Sequence, residues 1–377
     1  MRPLHSLIYR EKPHYELLDG LRGVAALLVI WYHFFEAFAT SGVDQRFNHG
    51  YLAVDFFFVL SGFVIGYAYD DRWKNGLTTK QFILRRLIRL QPMVLFAVCL
   101  GVLAFVLQGC EHWDHTPSPP WAIAVAFILA LFMLPAIPGT AIDVRGNGEM
   151  FPLVGPAWSL FFEYLGSILY ALVLHRLSTR WLRVFVVFCA LGLTAVIMSD
   201  MSGSYSIGVG WTLASAGFVG GFMRLGFSFG MGLLMSRRFV PLKIRGAFWL
   251  CILIMVLVMC MPYVTFDGHP SMLNGVYDIL CTVFVFPLIV RLAASGRTSD
   301  NFSKKACSFL GGISYPVYII HYPFMYIFYA WVWNNNFTFT QVWPVVAVMF
   351  VLFIPFAWMV ARFYDEPLRR WLGKKLL

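Results

Sequence analysis

Residues 17–38 read LLDGLRGVAALLVIWYHFFEAF, a run long and apolar enough to cross a bilayer that nevertheless carries Arg22 and His33. The interval from residue 22 to residue 33 is about three helical turns, so both side chains fall on one stripe, about 16 Å apart along the axis. In a membrane-spanning helix the cation would sit near one mouth and the imidazole deep in the hydrocarbon slab. Ionisable groups at such depth are costly unless they face a polar cavity, which makes the pair a functional candidate. The competing reading is an interfacial arginine that snorkels to the head groups and a core histidine with one hydrogen-bonded partner. Asp19 lies one turn before Arg22. Glu36, one turn beyond His33, either holds the ring or marks the outer interface.

The rest of the chain has the same character. Hydrophobic residues make up 59% and charged residues 13%, against about a quarter charged in soluble domains. The mean hydropathy is +0.71. Apolar runs near twenty residues recur at 17–38, 51–69, 92–107, 121–137, 157–174, 181–198, 217–235, 247–264, 276–293, 309–332 and 342–363. The fold class expected is an all-α integral membrane protein. The seven cysteines form no CxxC and lie mostly inside apolar runs, as small core residues do. The opening residues are polar and mixed in charge, so no cleavable signal peptide is expected.

The net charge of +10 suggests nucleic acid until the charges are placed. Clusters stand at Arg2/Arg10/Lys12, Arg72–Arg89, Arg176/Arg180/Arg183, Arg237/Arg238/Lys243/Arg245, Arg291/Arg297/Lys304/Lys305 and Arg362–Lys375; the other connections hold only Arg46 and Arg145. By the positive-inside rule every cluster is cytoplasmic. Two apolar runs separate each consecutive pair of clusters, except that three lie between Arg89 and Arg176. One of these three must enter and leave on the same side, and 121–137, short and flanked by prolines, is the candidate. The expected topology is about ten transmembrane helices plus one re-entrant or buried segment, forming a single membrane domain over 1–377. It places a cytoplasmic tail at 1–16, a basic amphipathic helix at 70–91 on the cytoplasmic face and a second tail at 364–377. With the positive charge so explained, no nucleic-acid partner is expected.

Several polar residues stand out against this background. Arg85, Arg86 and Arg89 fall within about one turn of a helix stopped by Pro92. Guanidinium forks suit phosphates, and anionic lipid heads would suit the same helix. Ser61 and Gly62, in the run FFFVLSGF after Asp55, allow close helix packing, with Ser61 also a channel candidate. Trp158, Ser159 and Glu163 open the 157–174 span. Counted from its outer end, Glu163 is about 8 Å deep, at a level compatible with His33, and the two would form a histidine–carboxylate pair unless Glu163 makes a structural pair with Arg224 or another polar group. Arg224 either neutralises a carboxylate or receives an anionic substrate. Tyr318 and His321, one turn apart beyond Pro316, are candidates for a polar lining, with His321 alternatively a second catalytic histidine. His112, Asp114 and His115 share a proline-rich loop, and no metal centre is expected.

Together these stretches resemble the membrane-bound acyltransferase-3 family. The resemblance rests on Arg22 and His33 in the first span, Phe57–Phe63, the arginines before Pro92, Trp158-Ser159-Leu160 with Glu163, Ser314 to His321, and Glu366-Pro367 with Arg369. Gln91 departs from it, standing where an aromatic would be expected before the proline. The resemblance implies acyl transfer, most often acetylation, from cytoplasmic acetyl-CoA or another acyl-CoA. The acceptor would be a hydroxyl or amine of a cell-surface glycan, a lipid-linked sugar or a similar small molecule. His33, Arg22 and Glu163 would be catalytic and Arg85, Arg86 and Arg89 would hold the coenzyme. Asp19, Ser61, Trp158, Ser159, Arg224, Tyr318 and His321 would line the substrate channel. Localisation would be the bacterial inner or plasma membrane, with both termini cytoplasmic. The chain stops soon after Arg370, so no fused esterase-like domain is expected, leaving room for a separate extracytoplasmic transferase partner. Rival readings are a polytopic exporter of an anionic or acylated metabolite and a scaffold whose ionisable residues only fix helix packing.

Overall fold

The computed structural model describes residues 14–40, 44–242, 244, 246–296 and 300–377, excluding the side chains of 215 and 216. Arg2, Arg10, Lys12, Lys243, Arg245, Arg297 and most of the 1–16 tail lie outside the described residues. Each of the eleven apolar runs becomes helix. In order these are α1 (Glu16–Glu36), α2 (Ala53–Lys74), α3 (Thr79–Leu107), α4 (Pro120–Leu131), α5 (Ala157–Leu172), α6 (Thr179–Met198), α7 (Ser215–Arg237) and α8 (Ala247–Cys260). There follow α9 (Met272–Leu280) and α10 (Phe286–Ser295), joined by a π turn, then α11 (Asn301–Asn334), α12 (Phe339–Val360) and, after a second π turn, α13 (Glu366–Leu376). Among the described residues, seven helical segments are long and apolar enough to cross a membrane. The chain is an all-α membrane protein.

Small residues set the tightest crossings. A side chain at Gly62 would put its first carbon 2.0 Å from the Phe229 carbonyl, and one at Gly232 would lie 2.1 Å from that of Val59. The α2 and α7 backbones therefore touch, as small residues permit between membrane helices. The two run parallel, tied by Arg224 to Asp55 near one end and by Arg237 to Asp70 near the other. α1 and α11 are also parallel: Arg22 meets Ser314, His33 meets His321, and Trp333 donates to the Ala37 carbonyl. We call the end holding Arg22, Arg86 and Arg237 the basic end.

Helix directions settle what α4 does. α3 climbs from the basic end, and α5 descends beside it, with Gly101 against Leu153 and Arg86 against Glu163 and Ser167. Between them α4 dips inward until the Leu131 carbonyl accepts from Gln91 at 2.6 Å. The chain then returns to the top of α3, where Arg145 donates to Gln108 at 2.9 Å. The chain from 121 to 145 thus leaves the top of α3, dips beside it and comes back to it.

The structure corrects the expected 70–91 amphipathic helix. α2 runs on to Lys74, and a turn leads to Thr78, whose hydroxyl and the Gln81 side chain form a capping box. From there α3 continues through Pro92 without a break, about 43 Å at 1.5 Å per residue. Proline is tolerated inside a membrane helix when neighbours serve the backbone around it. Tyr315 donates to the Leu90 carbonyl at 2.7 Å and Tyr364 to that of Pro92 at 3.1 Å. The arginines consequently ride on the first turns of a long helix and point partly inward.

Candidate active site

Arg22 and His33 both face α11. Arg22 donates from Nε to Ser314 Oγ at 2.7 Å and from Nη2 to the Gly311 carbonyl at 3.0 Å, and pairs with Asp19 at 3.1 Å. Deeper along the seam, His33 Nδ1 lies 2.8 Å from His321 Nε2, and the Tyr322 ring stands edge-on to His33 at 4.8 Å. The stripe deduced from helical periodicity is therefore one physical seam, with the guanidinium at its basic end and the imidazole further in.

His33 also forms part of the wall of a cavity of about 460 Å³. Glu36, Glu149 and Arg224 are its charged lining, and Trp113, Trp158, Trp211 and Trp333 contribute indoles. Tyr32, Tyr51 and four tyrosines of α11 add further rings. Its rim includes the exposed Thr40, Trp211 and Trp333, so it faces the end opposite the basic one. Arg22 does not line it; the seam between Arg22 and His33 is packed.

The carboxylates are held by phenols. Tyr329 bridges α1 and α11, its hydroxyl oxygen lying 2.7 Å from the His33 carbonyl oxygen and 2.8 Å from a Glu36 carboxyl oxygen. Tyr326 donates to Glu149, and its ring lies 3.5 Å from the buried Arg145 guanidinium, a cation–π contact. Burial raises the Glu149 carboxyl above the ordinary carboxylate range, against the Tyr326 hydrogen bond and the Arg145 charge. Burial likewise lowers the Arg145 guanidinium. These groups suit a polyhydroxylated ligand: flat rings for stacking and carboxylates to accept from hydroxyls.

Glu163 does not orient His33. It accepts from Arg86 at 2.5 Å and from Ser61 at 3.1 Å. The loop before α5 packs against Gly101, six residues from the top of α3, so α5 starts about 9 Å below that level. A further 9 Å along α5 puts Glu163 at twice the counted depth, beside the arginine whose buried charge requires it. His321, expected as channel lining, is wholly buried and is the neighbour that holds His33. Tyr318 and Trp158 do line the cavity, whereas Ser159 stands behind Tyr318, 2.7 Å from its hydroxyl.

Arg224 neutralises a carboxylate and also lies on the cavity wall. It grips Asp55 with Nε and Nη2 at 2.7–3.0 Å, donates to the Val209 and Tyr51 carbonyls, and still reaches the cavity wall. Of the three arginines of α3, Arg86 is spent on Glu163 and Ser167, while Arg89 is exposed amid the charges of Arg22, Arg86 and Arg369. The Asp365–Arg370 segment forms ion pairs one turn apart along its own helix.

Glu149, Tyr322, Tyr326, Tyr329 and Trp333 were not singled out from the sequence. A signal existed: Tyr318, Tyr322, Tyr326, Tyr329 and Trp333 recur every three or four residues, which is one face of α11.

A helical membrane protein with a histidine between a basic end and a polar, aromatic cavity is the class this geometry defines. The Acyltransferase domain family (acyltransferase-3) matches residues 15–362, and the chain belongs to that family. It is 27% identical over 320 residues to "O-acetyltransferase OatA" of Staphylococcus aureus, covering 81% of this chain and 50% of that protein. To "Peptidoglycan O-acetyltransferase OatA" of Listeria monocytogenes it is 25% identical over 375 residues, 94% of this chain and 55% of the other. "Protein 2 in picA locus" of Rhizobium radiobacter is 38% identical over 165 residues, 41% of this chain and 80% of that one. The chain spans about half the length of the O-acetyltransferases it matches. No solved structure matches it.

Proposed function

We propose that the protein transfers an acetyl group from acetyl-CoA to a hydroxyl of a cell-envelope glycan or lipid-linked sugar. The observation that carries this is the position of His33. Its ring stands on the wall of the cavity and on the same α11-facing seam as Arg22 at the basic end. Family membership and the names of the two O-acetyltransferases support the same chemistry.

In this reading the basic end is cytoplasmic, with both termini on that side, in a bacterial inner or plasma membrane crossed by about ten helices. Arg22, Arg89 and Arg85, whose Nε has no protein partner among the described residues, receive the coenzyme phosphates, as charged forks suit. The acceptor sugar enters the cavity from the other side, stacks on Trp158 and its neighbours, and gives hydroxyl hydrogen bonds to Glu36 and Glu149. His33 takes the proton of the acceptor hydroxyl as its oxygen attacks the thioester carbonyl. The tetrahedral intermediate then collapses, the C–S bond breaks, and the proton passes from His33 to the leaving sulfur. The acetylated acceptor then leaves the cavity, or passes as such to a separate extracytoplasmic partner.

The test is transfer from radiolabelled acetyl-CoA in proteoliposomes, supplied with muropeptides or other envelope glycans. Labelled glycan from the wild type, and none from a His33→Ala protein of normal abundance, is expected. Flux of unmodified acetyl-CoA without transfer would support an exporter and overturn the proposal.

A further inference from the structure

The environment of His321 prescribes a tautomer. Its Nδ1 lies 3.0 Å from the Val317 carbonyl oxygen. A carbonyl can only accept, so Nδ1 carries the hydrogen. The ring is 0% exposed, with Tyr318, Tyr322 and Phe353 around it. No carboxylate among the described residues is hydrogen-bonded to it, so burial holds it in the neutral form. A neutral imidazole has one N–H, which leaves Nε2 as an acceptor. The atom 2.8 Å away, His33 Nδ1, must therefore donate. That in turn leaves the His33 lone pair on Nε2, the nitrogen not engaged by α11.

We infer that His321 is a positioning residue that sets the tautomer of His33, relaying the polarity of the Val317 carbonyl through two imidazoles so that His33 Nε2 is the base. The inference rests on the proposed transfer only for its kinetic consequence. It differs from a histidine–carboxylate pair in one respect. When His33 takes up the acceptor's proton, its partner is a neutral lone pair, so the imidazolium is stabilised less than beside a carboxylate and gives the proton up more readily to the departing thiolate.

Three substitutions separate this from a packing role. His321→Leu keeps bulk and removes the acceptor. His321→Gln places an amide oxygen where Nε2 was, and His321→Glu places a carboxylate there. Each protein is first checked for abundance and monodispersity. The expectation is a kcat loss of about 100-fold or more for His321→Leu with KM nearly unchanged, since a wrong tautomer removes the base. His321→Gln should recover to within about tenfold of wild type. In His321→Glu the acidic limb of the pH–rate profile should move upward by about 1–3 units. Separately, ¹⁵N shifts of the ring nitrogens in histidine-labelled wild type should show His33 as the Nδ1–H tautomer, a readout that needs no turnover. Finding His33 with its hydrogen on Nε2, or His321→Leu as active as His321→Gln, overturns the inference. A wild type with the expected tautomer but no transfer refutes the proposed function and leaves the relay standing.

Discussion

Replacing Asp55 with asparagine isolates what Arg224 is for. Asp55 and Arg224 are 0% and 1% exposed, and the guanidinium gives the carboxylate three contacts of 2.7–3.0 Å. Removing one partner of such a pair leaves an uncompensated buried charge, at a cost of about 3–5 kcal/mol. At about 1.4 kcal/mol per decade, the folded-to-unfolded ratio falls by roughly two to three and a half decades. Arg224→Gln in the same chain removes the stranded cation and should restore most of that. The Val209 and Tyr51 carbonyls, which accept from Arg224, then lose charged donors, so a deficit of about 1–2 kcal/mol should persist. Equilibrium SDS unfolding in mixed micelles, applied to the wild type, both single variants and the double variant, yields the coupling energy. A coupling below about 1 kcal/mol, together with an unaltered Asp55→Asn stability and a shifted acceptor KM, would show that Arg224 serves the substrate and that the ion pair is incidental.

Glu163→Gln should lower the thermal midpoint and the abundance, because Arg86 loses its carboxylate, while leaving the acidic limb of the pH–rate profile in place; movement of that limb would restore Glu163 as the partner of His33. Gly62→Ala should destabilise by about 1–3 kcal/mol or more, as overpacking does, since the new methyl would meet the Phe229 carbonyl at 2.0 Å; an unchanged unfolding midpoint would refute the contact. His49, just before α2, is buried with Asp278, Tyr51, Tyr263 and Tyr277 about it, and burial lowers it from 6.5 to about 4. The folded state refuses a proton that the unfolded chain accepts below pH ~6.5. Stability is thus full above that pH and lost towards pH 4, by up to about 3 kcal/mol. His49→Asn should flatten that decline in a pH series of unfolding midpoints, and an unaltered slope would count against it.

The helices were legible because apolar runs in a bilayer have one solution, and the placement of Lys and Arg already required one run to return. The seam of Arg22 and His33 followed from periodicity, which the structure keeps because α1 and α11 lie parallel. Depth was harder to read. Glu163 was counted from a helix end assumed to lie at the surface, but the loop before α5 enters the protein, and no local pattern reports that. Pro92 misled for a related reason: the tyrosines that sustain the helix around it, Tyr315 and Tyr364, are more than two hundred residues away in the chain. The dependence of His33 on His321 is equally non-local, although both side chains were visible as candidates.

The cavity that ends at His33 has an electrical consequence. In the proposed orientation, water and a polar ligand filling it would carry the potential of the outer medium well into the bilayer, so most of any transmembrane voltage would fall across the packed stretch between His33 and Arg22. A unit charge crossing the full drop exchanges about 2.3 kcal/mol per 100 mV. In the proposed transfer the proton passes from His33 to the sulfur at the inner edge of the cavity, so no unit charge crosses that drop, and turnover would be insensitive to the energised state of the membrane.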